Sequence, residues 1–250
     1  MRTLVLTTVT PHAVIFVAGT GTRLLLPVTA DRPKCLVEVG GETILSRILR
    51  QLAAAGMQDV CLATGHCEPM LRDWVTQRQP RVDVSFVSNP AYATTNNAYS
   101  LWMTRKSVGD RSLLLCDGDV LLEDGVLERL IRHPSENALL IEPRDDMGEE
   151  EMKAAVDGAR VTRLTKTMDP KEAFGESIGV QKIGNTAALW HTLEEMIQGQ
   201  GGADLYYEDA FQRLIDGGVD FAPVSVGKGE WIEIDDAADL ERARARFGPR

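Results

Sequence analysis

Glycines and cations are concentrated in one stretch of this chain, between Gly19 and Lys34. An apolar run, Ala13–Val17, predicts a buried strand that opens into Gly19-Thr20-Gly21-Thr22-Arg23. Glycines let backbone N–H groups approach phosphate oxygens, and nearby cations neutralise the charge of those oxygens. We therefore expect residues Ala18 to Thr22, hereafter the glycine loop, to bind a phosphate-containing ligand, with Arg23 and Lys34 neutralising its phosphates.

The loop differs from the two most familiar phosphate-binding motifs. A P-loop would end in Gly-Lys-Ser or Gly-Lys-Thr, which this stretch lacks. A dinucleotide-binding loop would have a third glycine where this chain has Leu24. What remains is Gly-x-Gly-Thr-Arg, then Pro27, then Pro33-Lys34; an ordinary strand-to-helix turn with surface cations is the alternative interpretation.

Carboxylates follow two further apolar runs. Leu113–Cys116 predicts a buried strand and leads into Asp117-Gly118-Asp119. Two carboxylates there could bind Mg²⁺, which prefers carboxylate and phosphate oxygens, although an Asp-Gly turn is common after a strand. Near the end of the chain, Glu233 and Asp235 share one face of a predicted strand; Asp235 or Asp236 could instead cap the last helix.

Other polar and aromatic residues could contact a base or a second substrate. Asn96 could recognise a base edge or simply cap the helix that carries Tyr99. Lys153 and Lys166 could meet a phosphate or phosphonate, or be solvated surface lysines. The run Tyr206-Tyr207-Glu208-Asp209 suits a cationic group through cation–π and ionic contacts, or begins a helix with core tyrosines.

The order of predicted elements places these residues along one edge of a sheet. Strand-like and helix-like runs alternate through residues 13–141, which predicts a doubly wound, mostly parallel, Rossmann-like α/β sheet. Ligands bind such sheets at the C-terminal ends of the strands. From residue 152 onward the pattern of strands and helices is mixed, and we expect that half of the chain to bind the second substrate, which accepts the transferred group (the acceptor). Residues 1–11 are expected to form a tail, and 12–250 a single domain.

Composition restricts the partners of the protein. The chain has 250 residues and a net charge of −10, whereas a nucleic-acid-binding face is basic. No apolar run approaches the length of a membrane-spanning helix, so neither nucleic acid nor membrane is an expected partner. The four cysteines lack paired or metal-type spacing and mostly adjoin apolar runs, which favours buried free thiols and a cytoplasmic location.

Together these residues resemble the nucleotidyltransferase family, and within it the short branch of CTP:phosphocholine and phosphonate cytidylyltransferases. The glycine loop and Asp119 are common to the whole family. The segments particular to the short branch are Asn89-Pro90-x-Tyr92-x-x-Thr95-Asn96-Asn97-x-Tyr99-Ser100-Leu101, Glu150-Glu151-Met152-Lys153 and Tyr207-Glu208-Asp209. This chain departs from the usual pattern in having Phe16-Val17 before Ala18-Gly19, and one extra residue between Arg23 and Pro27.

The resemblance implies Mg²⁺-dependent transfer of CMP from CTP to a small phosphonate or phosphomonoester, with release of pyrophosphate. It implies the glycine loop as the binding site of the nucleoside triphosphate and Arg23 and Lys34 as catalytic residues. It also implies Asp119 and Asp235 as metal ligands, and Asp117 as a group that orients water or substrate. A homodimer, the commonest kind of oligomer, would be unsurprising. The alternatives are a sugar-1-phosphate nucleotidyltransferase using UTP, dTTP or GTP, a non-catalytic nucleotide-binding module and, disfavoured by Leu24, a dinucleotide oxidoreductase.

The resemblance leaves the acceptor open. Phosphocholine would need an aromatic cage, for which Trp231, Tyr206 and Tyr207 are candidates. An aminophosphonate would need a carboxylate for its amine. A carboxylated phosphonate would need additional cations, for which Lys153 and Lys166 are candidates.

Overall fold

The structure is a computed structural model that describes residues 11–21, 32–184, 186–199 and 201–248. Thr22 and Arg23, both predicted site residues, lie outside the described residues, as do residues 1–10 of the predicted tail. Thirteen strands and eight α-helices are present within the described ranges. No helix in those ranges is long and apolar enough to cross a membrane.

The elements alternate along the chain as the sequence predicts. The strands are β1 (His12–Val17), β2 (Glu38–Val39), β3 (Glu42–Thr43), β4 (Asp59–Thr64), β5 (Asp83–Ser88), β6 (Leu113–Asp117), β7 (Val120–Leu122), β8 (Ala138–Pro143), β9 (Lys153–Asp157), β10 (Arg160–Thr165), β11 (Gly175–Ile183), β12 (Ala222–Ser225) and β13 (Trp231–Glu233). The helices are α1 (Ile44–Ala54), α2 (Glu68–Arg78), α3 (Asn97–Met103), α4 (Arg105–Val108), α5 (Val126–Ile131), α6 (Thr186–Gln198), α7 (Tyr207–Asp216) and α8 (Ala237–Phe247).

Nine of the described strands form one sheet, in which β5-β4-β1-β6 is a parallel block. Beyond β6, the pairing becomes antiparallel through β11, β9 and β10, while β8 pairs with β11 and β12 pairs in parallel with β8. The predicted fold class, a mostly parallel Rossmann-like sheet with a mixed second half, is confirmed. The C-terminal ends of β1 and β6 are neighbours, so the glycine loop and Asp117-Gly118-Asp119 emerge side by side.

Apolar residues are buried on both faces of the sheet, which explains why its central strands are continuously hydrophobic. In β1, Ala13, Ile15 and Val17 contribute to one buried cluster and Val14 to the other. The first cluster includes residues of α1, α5 and α8, and the second includes residues of α3, α6 and α7. The four cysteines are free thiols, and three of them are buried, as expected.

Two predicted elements differ in the structure. The predicted strand Cys35–Val39 begins instead as a 3-10 helix, Lys34–Leu36, because the N–H groups of Leu36 and Val37 bond back to the carbonyls of Pro33 and Lys34. The predicted helix over 96–106 is divided at Thr104, whose hydroxyl donates to the Leu101 carbonyl at 2.7 Å. In both segments local hydrogen bonds outweigh the apolar pattern.

A buried histidine at the start of β1 should make stability depend on pH. His12 is 4% exposed, and neither ring nitrogen has a hydrogen-bond partner among the described residues. Burial, aided by the charge of Arg111 and opposed by that of Asp59, lowers the pKa of His12 to about 4. Because the pKa of His12 in the folded protein lies below the ordinary value of 6.5, the unfolded chain binds a proton more readily than the folded protein does. The free energy of unfolding is therefore highest above pH 6.5, as far as His12 is concerned, and decreases as the pH falls from 6.5 toward 4.

We expect the free energy of unfolding of the wild type, relative to His12→Gln, to fall by about 2 kcal/mol between pH 7 and pH 5. Urea unfolding of both proteins at the two pH values measures this difference. Subtracting the free energy of unfolding of His12→Gln from that of the wild type at each pH removes the contribution of all other titrating groups. An unchanged difference would mean that His12 is protonated as easily in the folded as in the unfolded chain.

Candidate active site

The C-terminal ends of β1 and β6 lie side by side, which brings the glycine loop against the Asp117–Asp119 turn. Phe16 pairs with Asp117, and the Gly118 N–H donates to the Phe16 carbonyl at 3.0 Å. A Cβ at Gly118 would clash with that carbonyl oxygen, so the close approach requires glycine here. Gly21, with φ of +61°, lies against the Lys34 side chain.

The last strand brings a second set of carboxylates to the same place. β13 pairs antiparallel with β7, so that Glu233 lies opposite Val120, and the Ile234 N–H donates to the Asp119 carbonyl at 3.1 Å. Asp236 caps α8 by accepting from the Asp239 N–H at 2.9 Å. Asp235 is therefore directed to the site while its neighbour caps the helix, so the two interpretations of this run are compatible.

Asp119, Glu233 and Asp235, hereafter the carboxylate cluster, have oxygens that all lie within 4.8 Å of one another. Glu233 was not predicted as a ligand. Its burial, together with the charges of Asp119 and Asp235, raises the pKa of Glu233 to about 8. So many oxygen donors in one place fit a hard divalent cation, which would relieve their mutual repulsion.

Lys34 supplies positive charge at the carboxylate cluster. Its Nζ donates to Asp119 Oδ2 and to Asp235 Oδ1, each at 2.8 Å. Burial by itself lowers the pKa of Lys34, but the charges and hydrogen bonds of Asp119 and Asp235 outweigh burial and raise it. Lys34 therefore stays charged, close to both the carboxylates and the glycine loop.

A cleft runs from the glycine loop to the second half of the sheet. A pocket of about 250 Å³ is lined by Gly19, Thr20, Gly21 and Lys34, among others. It shares Asp119 with a larger cavity of about 830 Å³, a size typical of small-molecule sites. Ala18 and Gly19 also line the large cavity, so the described part of the glycine loop borders both spaces.

Four further predicted residues line the large cavity: Asn96, Asp117, Lys166 and Glu208. Asn96 also caps α3 by accepting from the Asn97 N–H at 2.8 Å, which confirms the capping interpretation, while recognition of a base edge by Asn96 stays a prediction. Asp117 accepts a hydrogen bond from the Tyr207 hydroxyl at 3.1 Å and packs against Gly179, where φ is +74° and a Cβ would clash. Burial and the charges of Asp119 and Glu208 raise the pKa of Asp117.

The other four predicted acceptor-side residues are not among the residues that line the large cavity. Tyr99 packs on Trp102, and the Trp231 indole N–H donates to Glu142 Oε2 at 3.1 Å. The ring of Tyr207 is buried and stacked on Phe16. The Lys153 side chain is buried, and its Nζ donates to the carbonyls of Glu151 and Lys166 at 3.2 and 2.8 Å. These contacts fit the core interpretation of the four residues, and their contact with an acceptor stays a prediction.

Several residues that line the large cavity are not among the predicted site residues, and Tyr92 and Glu176 are two of them. Tyr92 faces the cavity beside Gly65, where a Cβ would lie 2.6 Å from the Tyr92 Cβ. Glu176, on β11, is held by Arg144 at 2.8 Å. Burial raises the pKa of Glu176 to about 7, against the lowering effect of Arg144. No local sequence pattern distinguishes Glu176 from a surface glutamate. Tyr92, in contrast, lies in the segment 89–101, whose residues resemble those of the short cytidylyltransferase branch.

Comparison with known families and proteins agrees with this geometry. The family described as the MobA-like NTP transferase domain matches residues 13–208. The CMP-5'-(3-aminopropyl)phosphonate synthase of Streptomyces rubellomurinus is 32% identical over 253 residues, covering 95% of this chain but 39% of that protein. This chain thus spans well under half the length of that relative.

Two other similar proteins match along nearly their whole length. The CTP:phosphoglutamine cytidylyltransferase of Campylobacter jejuni is 22% identical over 253 residues, covering 92% of this chain and 98% of the relative. The solved CTP:phosphocholine cytidylyltransferase of Streptococcus pneumoniae superposes with a TM-score of 0.78 at 21% identity, covering 95% of this chain and 99% of that one. At that identity the structural likeness establishes the fold.

Proposed function

The chain belongs to the MobA-like NTP transferase family, and we propose that it transfers CMP from CTP to a small phosphonate or phosphomonoester, releasing pyrophosphate. One observation carries this proposal: the glycine loop, Lys34 and the carboxylate cluster meet in one cleft that opens into a cavity large enough for a second substrate. The choice of CTP and of a phosphorus-containing acceptor is supported by the two curated relatives, whose names specify CMP or CTP chemistry.

The reaction is a direct displacement at the α-phosphorus of CTP. An acceptor oxygen forms a bond to that phosphorus, the bond from the α-phosphorus to the bridging oxygen breaks, and pyrophosphate leaves with the electron pair. Such a transfer needs alignment and neutralisation of charge more than covalent help from the protein. The acceptor oxygen is already an anion near neutral pH, so no general base is required.

The described residues supply both requirements. Backbone N–H groups of the glycine loop cradle phosphate oxygens, and Lys34 neutralises the charge that builds up on the leaving pyrophosphate. Members of this family generally use a divalent metal, and we propose Mg²⁺ held by Asp119 and Asp235, with Glu233 as a further ligand. When bound, the metal neutralises phosphate charge and aligns the leaving group. Arg23 remains a proposed partner of the phosphates.

The test is pyrophosphate release with Mg²⁺ and each of CTP, UTP, ATP, GTP and dTTP, against phosphocholine, 2-aminoethylphosphonate, phosphonoformate and glucose 1-phosphate. We expect release that requires CTP together with a phosphonate or phosphocholine. Release with UTP or dTTP and glucose 1-phosphate would instead assign the sugar-1-phosphate branch. CTP binding without release of pyrophosphate with any acceptor would favour a non-catalytic module.

A further inference from the structure

The hydroxyl of Thr95 is left with one role, that of a hydrogen-bond acceptor. Thr95 is half-buried and lines the large cavity. Its Oγ1 donates to the Ala91 carbonyl at 3.0 Å and accepts from Asn89 Nδ2 at 2.9 Å. A threonine hydroxyl has one hydrogen and two lone pairs. The hydrogen and one lone pair are therefore used, and a ligand that meets this oxygen must bring a donor.

The side chain of Asn89 fixes this arrangement from behind the cavity wall. Asn89 is 1% exposed, and its Oδ1 accepts from the Ala91 N–H at 2.9 Å, which settles which end of the amide is the nitrogen. That nitrogen donates to Thr95 Oγ1 and to Ser100 Oγ, the latter at 3.0 Å. The Thr95 hydroxyl is thus held on two sides before a ligand binds, so its orientation costs nothing at the moment of binding.

The wall that carries Thr95 adjoins the glycine loop. Gly19 lines the small pocket, and Ala18 and Gly19 both border the large cavity. A Cβ at Gly65 would lie 3.0 Å from the Ala18 carbonyl oxygen and 2.6 Å from the Tyr92 Cβ, so Tyr92 is close to Ala18. Residues 92–100 continue from there along the cavity. With its phosphates at the glycine loop, a nucleotide therefore has this wall beside its base.

The two asparagine amides on the same wall already have protein partners. Asn96 Oδ1 accepts from the Asn97 N–H at 2.8 Å, and Asn96 Nδ2 donates to the Asp204 carbonyl at 3.3 Å. Asn97 Oδ1 accepts from the Tyr207 N–H at 2.9 Å. These bonds hold the start of α3 against the start of α7. Thr95 is better suited to contact a base, because its second lone pair has no donor within the described part of the chain.

We propose that Thr95 selects the base of the nucleotide by accepting a hydrogen bond from the 4-amino group of cytosine. Uracil and thymine carry a carbonyl oxygen at that position, so two acceptors would face each other with no hydrogen between them. A site built to bind one donor group discriminates strongly against the analogue that lacks it. This inference rests on the proposed function and assigns its preference for CTP over UTP to one side chain.

The test uses nucleotides that differ at this one position. Equilibrium binding to the wild type, in the presence of Mg²⁺, is measured for CTP, for UTP and for the 2-pyrimidinone ribonucleoside triphosphate, which has a hydrogen in place of the 4-amino group. We expect Kd to be about 10- to 100-fold lower for CTP than for UTP, with the pyrimidinone analogue between them. Equal Kd values for CTP and UTP, together with pyrophosphate release from CTP, would overturn the inference and leave the proposed function standing.

The variant Thr95→Val assigns the preference to this hydroxyl. We expect its Kd for CTP to rise about tenfold and its preference for CTP over UTP to fall below about threefold. Its Kd for the pyrimidinone analogue should stay unchanged, because that base has no amino group to donate. Thr95→Ser keeps the hydroxyl and should keep the preference.

Thr94→Val is the matched control. The Thr94 hydroxyl donates to the same Ala91 carbonyl, at 3.2 Å, but Thr94 is not among the described residues that line the large cavity. The substitution therefore removes a hydroxyl of the same kind from the same turn without changing the cavity wall. We expect this control to bind all three nucleotides as the wild type does.

Two results with Thr95→Val would overturn the assignment. An equal loss of affinity for all three nucleotides would identify a structural role, and an unchanged preference for CTP would place base recognition elsewhere. Pyrophosphate release by the wild type only with UTP or dTTP and glucose 1-phosphate would remove the proposed function and this inference with it. Because the titration needs no acceptor, an error in the proposed acceptor cannot be mistaken for a failure of the role of Thr95.

Discussion

Lys34→Ala is expected to lower kcat by about two to three orders of magnitude at saturating CTP and acceptor. The Lys34 ammonium contacts both Asp119 and Asp235 at 2.8 Å and lines the pocket next to Gly19 and Gly21. In this position it can neutralise the departing pyrophosphate, and its charge is maintained because the carboxylates raise its pKa. Alanine removes this charge and provides no substitute for it.

Cation binding distinguishes this role from a loss of folding. With Lys34 removed, the carboxylate cluster loses its internal counter-charge, so Mn²⁺ should bind the nucleotide-free variant more tightly than the wild type. Mn²⁺ titration, pyrophosphate release and thermal unfolding would be measured on the same samples. Lys106→Ala, at an exposed lysine in α4, serves as the control and should match the wild type in all three. Near-normal turnover in folded Lys34→Ala would refute the assignment.

The parallel half of the sheet could be predicted because each strand is buried on both faces. The apolar run before the glycine loop has Ala13, Val14 and Ile15 fully buried, as a central strand between two helical layers requires. The family match over residues 13–208 confirms the family resemblance. That resemblance was drawn from the glycine loop, the Asp117-Gly118-Asp119 turn and the segments particular to the short cytidylyltransferase branch. These signals are local in sequence, which is why they could be recognised without the structure.

The remaining features depend on pairings between distant segments. Glu233 joins the carboxylate cluster only because β13 pairs with β7, and β7 is a three-residue strand with no periodicity to reveal it. Lys153 and Trp231 look like ligand-binding residues in the sequence. Tertiary contacts instead give the Lys153 ammonium two backbone carbonyls and the Trp231 indole the Glu142 carboxylate. When the hydrogen-bond partner of a buried polar group lies far away in the sequence, no local sequence pattern distinguishes that group from a ligand-binding one.

Asp119→Asn is expected to reduce kcat by about two to three orders of magnitude and to raise the Mg²⁺ concentration needed for half-maximal activity. Asp119 follows β6 and contacts both Lys34 and the segment that follows β13. Its carboxylate accepts from Lys34 and belongs to the carboxylate cluster, and its carbonyl accepts from Ile234. Asparagine keeps the shape and the backbone bond but removes the negative charge that attracts a divalent cation.

Pyrophosphate release across a range of Mg²⁺ concentrations separates the two parts of this prediction. Because one ligand charge is lost, excess Mg²⁺ should restore binding of the metal but only part of kcat. Asp236→Asn is the control: it removes a charge next to Asp235, yet asparagine is an equally good helix cap, so α8 and the activity should be preserved. If Asp119→Asn kept both its kcat and its Mg²⁺ requirement, Asp119 would not be a ligand of the metal, which would then be held by Asp235, Glu233 and the nucleotide, and the contact of Asp119 with Lys34 would have a purely structural explanation.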